Sequence, residues 1–214
     1  MGSKVKTLEV IRRRLAVPRA SRDPRERWLR NVDGPVSPAL REILERPGRP
    51  ASVLLALLER SDGPTVLFTE RAAHLKDHAG QVSLPGGRIA AGESPADAAL
   101  REAHEEVGLD PNTVDIIGSL DEFLTGTGFA VMPVVGIVAD AGFVAIPDSR
   151  EVAGVFEVPL GVILDRSAMS VGYFERHGSR LLTYELNYGG RRIWGATAAV
   201  LRNFQDVIFD EGEN

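Results

Sequence analysis

The stretch that decides the fold is residues 87–109, GRIAAGESPADAALREAHEEVGL. Its second half places Glu102, Glu105 and Glu106 at positions i, i+3 and i+4 of a segment with helical character. Side chains at this spacing lie on one face of an α-helix. Like charges held so close repel one another, so the pattern predicts a positive partner among them.

A hard divalent cation is the simplest such partner, because Mg²⁺ and Mn²⁺ take oxygen ligands and bridge carboxylates to phosphates. We therefore predict that Glu102, Glu105 and Glu106 bind Mg²⁺ or Mn²⁺. Glycine lets the backbone approach a ligand closely, so a carbonyl oxygen of Gly86 or Gly87 is expected as a further metal ligand. For three glutamates considered alone, the alternative is an ordinary solvated acidic helix face.

The helix that carries these glutamates has its own start and stop signals. Ser94 is a good N-cap, Pro95 suits the first helical position, and Asp97 completes a pattern like a capping box. Gly108 stands where a glycine ends a helix. Apolar residues recur at helical period between these ends, which predicts a buried stripe opposite a cleft that holds the carboxylates.

Arg101 is the basic residue nearest to the three glutamates. It precedes Glu105 by four residues and is expected to pair with it, or to reach back to Glu93. Either pair would keep a carboxylate ionised and available to a metal.

The bulk composition is that of one ordinary globular domain, with 214 residues, 43% hydrophobic and 26% charged. The absence of cysteine excludes disulfides, thiolate metal sites and cysteine nucleophiles. No apolar run approaches the length of a membrane span, and the N-terminus has no signal-peptide core. We therefore expect a cytoplasmic protein with no membrane partner.

Charge is distributed unevenly along the chain. Residues 1–50 hold 13 Lys and Arg against six Asp and Glu, whereas the whole chain has a net charge of −5. A basic segment of this kind can bind nucleic acid, or part of it can help to hold a small polyanion. The interpretation we prefer is a solvated extension whose arginines pair with the acidic body. The expected division is a basic N-terminal extension with a short helix (1–48), a catalytic domain (49–208) and an acidic tail (209–214).

The coarse pattern of elements mixes strands with helices. Helices are predicted over residues 4–15, 38–44, 94–107, 159–165 and 197–206, and strands over 51–58, 65–70, 114–117, 128–138, 151–156 and 181–188. The apolar run 54–58, taken alone, is also compatible with a helix. Residues 16–36 are predicted to be irregular. Pro133 within 128–138 indicates an edge strand or a bulge. Strands and helices that share one core suggest an α/β sandwich.

The full spacing around the three glutamates, G-x5-E-x7-R-E-U-x-E-E-x-G-U with U a bulky aliphatic residue, resembles the Nudix box. Every fixed position is filled, and the one soft departure is the small Ala103. The resemblance implies a Nudix-type α/β/α sandwich with a mixed β-sheet between helices. It also implies a metal-dependent hydrolase that cleaves a nucleoside diphosphate linked to another group. Arg101 would assist at the catalytic site, and Glu93 and Gly108 would be structural positions of the box.

A second stretch, residues 67–87, indicates a subfamily within this family. Its sequence is LFTERAAHLKDHAGQVSLPGG. It is similar to the signature that precedes the box in Nudix coenzyme A pyrophosphatases, L-(L/V)-T-x-R-(S/A)-x-x-L-x-x-H-x-G-(Q/E)-V-x-F-P-G-G. Leu84 departs from it, where phenylalanine is usual. Residues 121–128 and 193–198 also look like that subfamily, so the resemblance covers about residues 50–205.

This closer resemblance implies hydrolysis of coenzyme A, or of acyl-coenzyme A, to 4′-phosphopantetheine and adenosine 3′,5′-bisphosphate. Coenzyme A is a polyanion, so cations must bind its phosphates, and Arg71, Lys76 and Arg88 are the local candidates. His78 is expected to orient the loop or a phosphate. The general base is expected to be one of the box carboxylates or Glu122, and the sequence does not choose among them.

Two other functions fit parts of the pattern. One is a Nudix hydrolase of ADP-ribose, dinucleotides or another nucleoside diphosphate derivative, and the other is a nucleotide-binding Nudix protein without catalysis. In every case the expected partner is a small-molecule substrate and not nucleic acid. The sequence is compatible with a monomer or a homodimer.

Overall fold

A computed structural model describes residues 2–17, 23–74 and 80–209 of the chain. The helices are α1 (Gly2–Leu15), α2 (Pro24–Arg30), α3 (Pro38–Glu45), α4 (Pro95–Val107), α5 (Leu160–Leu164) and α6 (Gly195–Phe209). The strands are β1 (Val32–Asp33), β2 (Arg49–Leu58), β3 (Thr65–Arg71), β4 (Val82–Ser83), β5 (Gly86–Arg88), β6 (Val114–Ser119), β7 (Phe123–Leu124), β8 (Phe129–Val138), β9 (Val152–Pro159), β10 (Met169–Arg176), β11 (Ser179–Tyr188) and β12 (Arg191–Trp194). Single 3₁₀ turns lie at Pro111–Thr113 and Arg166–Ala168.

The larger sheet is mixed, with strand order β4-β3-β2-β8-β6. β2 and β8 run parallel along their whole lengths, and the other pairs are antiparallel. Three more strands belong to this sheet. β5 pairs with the first half of β2, β7 pairs with β8, and β9 pairs with β3. β5 is short, but it connects the centre of the sheet directly to the segment that precedes α4.

Helices cover both faces of this sheet. Successive residues of a strand point to opposite faces, so Leu54 and Ala56 of β2 pack towards α4 while Leu55 and Leu57 pack towards α1, α5 and α6. Phe204 of α6 is fully buried in the second of these cores. The expected α/β/α sandwich with a mixed β-sheet between helices is therefore confirmed.

A second, smaller sheet lies beside the sandwich and was not anticipated from the sequence. It is antiparallel, with order β1-β11-β10 and β12 against β11. A separate apolar cluster of Trp28, Leu40, Leu44 and Leu181 joins α2 and α3 to β11.

Part of the segment predicted to be irregular, residues 16–36, forms regular structure. Asp23 caps α2 by accepting a hydrogen bond from the Arg25 amide at 2.9 Å, and Trp28 on that helix is buried. The prediction was wrong for Pro24–Arg30 because one buried tryptophan, which also donates a hydrogen bond to the Leu124 carbonyl, holds a helix whose other residues are mostly charged.

Pro133 does not mark an edge strand. β8 lies in the interior of the sheet, between β2 on one side and β6 and β7 on the other. Pro133 stands where the partner changes, since β7 pairs as far as Val131 and β6 begins at Val134. Its carbonyl accepts a hydrogen bond from the Leu120 amide at 2.8 Å. The irregularity therefore lies in the strands that pair with β8. In the gap between β7 and β6, the interior of β8 can accept a proline.

The N-terminal helix packs onto the sandwich. Leu8, Ile11 and Leu15 of α1 are buried in the core that includes α6, and Arg12 pairs with Asp115 of β6 at 2.7 Å. Such pairing is what we expect if the basic segment lies against an acidic body. The division into residues 1–48, 49–208 and 209–214 stays a prediction. Within the described ranges, no helix has the length and apolar character needed to cross a membrane.

Candidate active site

The helix α4 has the ends that its sequence predicts. The Ser94 hydroxyl accepts a hydrogen bond from the Asp97 amide at 3.1 Å, and Gly108 ends the helix with φ of 71°. The buried side of α4 is formed largely by Ala99 and Ala103. These small side chains let the helix approach the sheet closely, and so bring its carboxylates to the loop that leads into β5.

Arg101 connects the carboxylates on this helix. Its Nε donates to Glu93 at 2.8 Å, and its Nη1 donates to Glu102 at 2.9 Å and to Glu105 at 3.2 Å. Its Nη2 donates to the Arg88 carbonyl at 3.0 Å. Arg101 thus pairs with both of the partners that the sequence offered as alternatives, and with Glu102 as well.

These contacts favour the ionised forms of both partners. The hydrogen bond from Arg101, together with one from the Ala90 amide, lowers the pKa of Glu93. Hydrogen bonds to Glu93 and Glu102 raise the pKa of Arg101 above its ordinary value. The role of Glu93 in this arrangement is therefore to hold Arg101 in place.

Glu106 differs from its neighbours because its side chain is buried, with 5% of the residue exposed. Burial raises the pKa of Glu106 to about 7, and the nearby charges of Glu102 and Glu151 act in the same direction. A hydrogen bond from the Gly86 amide at 3.3 Å and the charge of Arg71 oppose this rise. A carboxylate in such surroundings gains much from a cation beside it.

The two glycines before the box allow the close approach of β5 to α4. A Cβ atom at Gly87 would lie 2.4 Å from the carboxylate of Glu102. Gly86 has φ of 156°, and a Cβ there would collide with the backbone of β2. Glycine is therefore required at Gly86, and at Gly87 it leaves the Glu102 carboxylate in its observed position. The proposed role of the two carbonyls as metal ligands stays a prediction.

The box carboxylates open onto an acidic cleft of about 170 Å³. The described residues that line it are Glu102, Glu105, Glu106, Asp148, Arg150 and Glu151. The last three were not identified from the sequence. They come from the segment between β8 and β9, and no local spacing connects that segment to the box.

Backbone hydrogen bonds hold this segment against the end of α4 and against Ala72, the residue after β3. The Asp148 amide donates to the Glu106 carbonyl at 2.9 Å, and the Ala72 amide donates to the Glu151 carbonyl at 2.8 Å. Asp148 pairs with Arg150, whose side-chain and backbone hydrogen bonds lower the pKa of Asp148 to about 2. The Asp148 carboxylate is therefore paired with Arg150. Glu151 lines the cleft together with Glu106 and acts on the charge of Glu106.

Arg71 lies beside this cleft at the end of β3. Its Nε is buried and has no hydrogen-bond partner among the described residues, and its charge acts on Glu106. A buried N–H without a partner is costly, so this atom is suited to receive an oxygen of a ligand. The structure thus places the predicted phosphate-binding arginine next to the metal-binding candidates.

The remaining residues predicted to bind substrate or to act as a base lie in different places relative to the cleft. Arg88 is exposed at the end of β5. Lys76 and His78 lie outside the described residues. Glu122 lies between β6 and β7 and is not among the described residues that line the cleft, so its role as a base stays a prediction.

The donor set of the cleft fits a hard divalent cation, because it consists of carboxylates and the Gly87 position leaves room for Glu102. In the part of the chain that the structure describes, no three acidic or histidine side chains already form a converged ligand set. Glu102 and Glu105 are bonded to Arg101, and Glu106 to the Gly86 amide. Each of these bonds uses one carboxylate oxygen, so the other oxygen of each glutamate remains available to a cation.

Comparison with known proteins agrees with the sequence pattern. The family model of the NUDIX domain matches residues 48–170. The uncharacterized Nudix hydrolase NudL of Enterobacter sp. (strain 638) is 42% identical over 164 residues, which are 76% of this chain and 83% of that protein. Nudix hydrolase 15, mitochondrial, of Arabidopsis thaliana is 39% identical over 169 residues, or 75% of this chain and 59% of that protein.

Among solved structures, the Nudix hydrolase RenU from M. smegmatis is 26% identical, with a TM-score of 0.47 over 55% of this chain and 74% of that one. The family match covers more than half of the chain and includes the sheet, α4 and the cleft. With the carboxylates on α4 at the spacing of the box, the family match and the 42% identity to NudL establish that the chain belongs to the Nudix family of hydrolases.

Proposed function

We propose that this Nudix hydrolase, a member of a family that acts on nucleoside diphosphate derivatives, cleaves the pyrophosphate of coenzyme A or acyl-coenzyme A. The products are 4′-phosphopantetheine, acylated or free, and adenosine 3′,5′-bisphosphate. The observation that carries the proposal is Arg71, the arginine of the coenzyme A signature in residues 67–87. Among the described residues its buried Nε has no hydrogen-bond partner beside the acidic cleft, and an oxygen of the substrate's pyrophosphate would accept that hydrogen bond.

Glu102, Glu105 and Glu106 are the residues that would hold Mg²⁺ or Mn²⁺. When bound, such a cation neutralises charge on the pyrophosphate and lowers the pKa of a coordinated water. Arg101 positions two of these carboxylates through its guanidinium. Arg71 would supply a positive charge near Glu106, which stabilises the negative charge that accumulates on phosphate oxygens during phosphoryl transfer.

The reaction consumes one water. The water oxygen forms a bond to one phosphorus while the bond from that phosphorus to the bridging oxygen breaks, and both products leave as phosphomonoesters. The proton of the water passes to a carboxylate. Glu151 is a candidate for this base because it lines the cleft beside Glu106, and Glu122 is the candidate from the sequence. Glu151→Gln and Glu122→Gln, compared for kcat, distinguish them.

Mass spectrometry of reaction products tests the substrate. Purified protein is incubated with Mg²⁺ or Mn²⁺ and coenzyme A, ADP-ribose or a dinucleotide in parallel. We expect adenosine 3′,5′-bisphosphate to form fastest, from coenzyme A. Turnover of only the other compounds would retain the Nudix chemistry and reject this substrate, whereas metal-dependent binding without turnover would indicate a non-catalytic protein.

A further inference from the structure

Two arginines at one end of the mixed sheet lie on the same aromatic ring. The guanidinium carbon of Arg49 is 4.0 Å from the ring centroid of Phe129, and that of Arg88 is 5.7 Å from it. The sheet register explains this, since Arg49 pairs with Phe129 across β2 and β8, and Ala51 pairs with Arg88 across β2 and β5. Residues 49 and 51 of a strand face the same side, so both arginines and the ring share one face.

A third arginine reaches the same place from the smaller sheet. Nη2 of Arg176 donates to the Gly126 carbonyl at 2.8 Å, and Nη2 of Arg49 donates to the neighbouring Thr127 carbonyl at 3.0 Å. A Cβ atom at Gly126 would lie 2.7 Å from the guanidinium carbon of Arg176. Glycine at this position therefore permits the approach of Arg176. We call Arg49, Arg88 and Arg176 the arginine cluster.

The charge of this cluster is not neutralised within the described part of the chain. None of its three members makes an ion pair with a described carboxylate, whereas Arg12, Arg60, Arg101 and Arg150 each make at least one. Guanidinium groups brought together without counter-charges create a positive potential that attracts anions. The planar donor fork of arginine matches phosphate in particular.

The cluster is close to the catalytic cleft through β5. Gly87 contacts Glu102 on the face covered by α4, and the next residue, Arg88, points to the opposite face. In the described chain β5 pairs only with β2, and side chains of α4 bond its outer edge, Glu106 at the Gly86 amide and Arg101 at the Arg88 carbonyl. One short strand therefore separates the box carboxylates from the arginine cluster. The cleft, at about 170 Å³, is smaller than the roughly 300–1,000 Å³ of typical small-molecule sites. Most of a large substrate must therefore lie outside it.

We propose that the arginine cluster binds a phosphomonoester carried on the ribose of the substrate. This inference rests on the proposed function, in which that group is the 3′-phosphate of coenzyme A. The pyrophosphate would lie at the acidic cleft, and the 3′-phosphate would lie over the edge of β5 against Arg49, Arg88 and Arg176. The cluster would then select coenzyme A over substrates that lack this phosphate.

The test compares kcat/KM for coenzyme A and for 3′-dephospho-coenzyme A in the full-length protein. The variants are Arg49→Gln and Arg176→Gln, with Arg49→Lys to retain charge and lose the donor fork. Arg13→Gln is the matched control, because Arg13 is an exposed arginine of α1 outside the arginine cluster. We expect the ratio of the two kcat/KM values to fall at least tenfold in Arg49→Gln and Arg176→Gln, less in Arg49→Lys, and to stay unchanged in Arg13→Gln.

Equal losses for both substrates, in variants whose thermal unfolding resembles that of the wild type, would overturn the inference and leave the proposed function intact. If the wild type hydrolyses neither compound, the proposed function fails, and calorimetry then decides the inference. In that case a preference for adenosine 3′,5′-bisphosphate over 5′-AMP that disappears in Arg49→Gln would support the arginine cluster. Equal affinity of the wild type for the two nucleotides would overturn it.

Discussion

Arg101 organises the candidate active site through hydrogen bonds to four acceptors, Glu93, Glu102, Glu105 and the carbonyl of Arg88. A partly exposed ion pair contributes little to stability, so the value of this arrangement lies in orientation. One planar guanidinium fixes two box glutamates relative to β5, whereas the ammonium of lysine has no comparable fork. The arginine of the box is thus better explained by geometry than by charge.

Glu106→Gln tests the buried member of the carboxylate set. We expect kcat to fall at least about 100-fold, because a neutral amide is a poor ligand for a hard cation and cannot accept a proton. The melting temperature should not fall, since burial already disfavours the charge of Glu106. Steady-state kinetics at saturating Mg²⁺ and thermal unfolding measure the two effects.

Glu59→Gln is the control for this variant, because Glu59 is an exposed glutamate outside the cleft. It should match the wild type in both measurements. A near-normal rate in Glu106→Gln would reject the metal-site assignment.

For individual site residues, the sequence predicts their position only where the residues share one element and its spacing brings them together. Glu102, Glu105 and Glu106 share a helix, so their convergence follows from helical period. Glu151 enters the same cleft from the segment before β9. Its position depends on backbone hydrogen bonds to Ala72, the residue after β3, and within its own turn. Such long-range contacts leave no local pattern to find in a single sequence.

The contact between α4 and β5 is the element pairing on which the site depends. Gly87→Ala adds one methyl group at 2.4 Å from the carboxylate of Glu102, without placing alanine in a left-handed conformation. We expect a loss of about tenfold or more in kcat/KM, because displaced catalytic groups lose rate steeply. Only a small fall in melting temperature is expected, since the displaced atoms end a side chain that can turn. Kinetics and thermal unfolding measure both.

Gly161→Ala is the matched control for Gly87→Ala. Gly161 lies in α5, where a Cβ atom meets nothing within 4 Å, and alanine is the better helix former. This variant should keep its activity and be as stable as the wild type or more so. A Gly87→Ala enzyme with unchanged kcat/KM would show that Glu102 is not held by β5.

Elements were predictable where their periodicity is strong. The ends of α4 follow from Ser94 and Gly108. The apolar run of β2 has no period of two and is compatible with a buried strand or a buried helix. β10 was missed because its exposed residues do not alternate with buried ones, and Val171, Tyr173 and Phe174 are all partly open to solvent. A strand stabilised by one neighbour at the edge of a small sheet gives no signal of period two.

The whole molecule includes its N-terminal helix in the main core, although the charge pattern of residues 1–50 suggested a separate extension. Ile11 of α1 is fully buried. Ile11→Ala should therefore lower the free energy of unfolding by about 2–5 kcal/mol, through lost burial and the cavity left behind. The neighbouring Val10 is 37% exposed, so Val10→Ala should cost much less. Denaturant unfolding of both variants measures the difference, and equal costs would show that α1 does not pack as described.

One ion pair ties together three separate parts of the sandwich. Arg60, in the turn after β2, donates to Glu157 of β9 at 2.7 and 3.1 Å and to the carbonyls of Ala141 and Phe143 at 2.9 and 2.8 Å. Both side chains are mostly buried, with 23% and 29% exposed. Burial alone would raise the pKa of Glu157, but hydrogen bonds from Arg60 and Thr65 outweigh it and lower that pKa below its ordinary value of 4.5.

This direction gives the stability of the whole fold a defined dependence on pH. A carboxyl group with a lowered pKa stabilises the folded state above its unfolded pKa of about 4.5, and this contribution is lost as pH falls through the folded value. Glu157→Gln should therefore lower the free energy of unfolding by about 1–3 kcal/mol at pH 7 and by much less at pH 3, as measured by urea unfolding. Glu42→Gln, which removes the exposed pair with Arg46, should cost about 0–1 kcal/mol at both pH values. A cost for Glu157→Gln that does not change with pH would contradict the ionic role of Glu157, because the loss would then reflect packing alone.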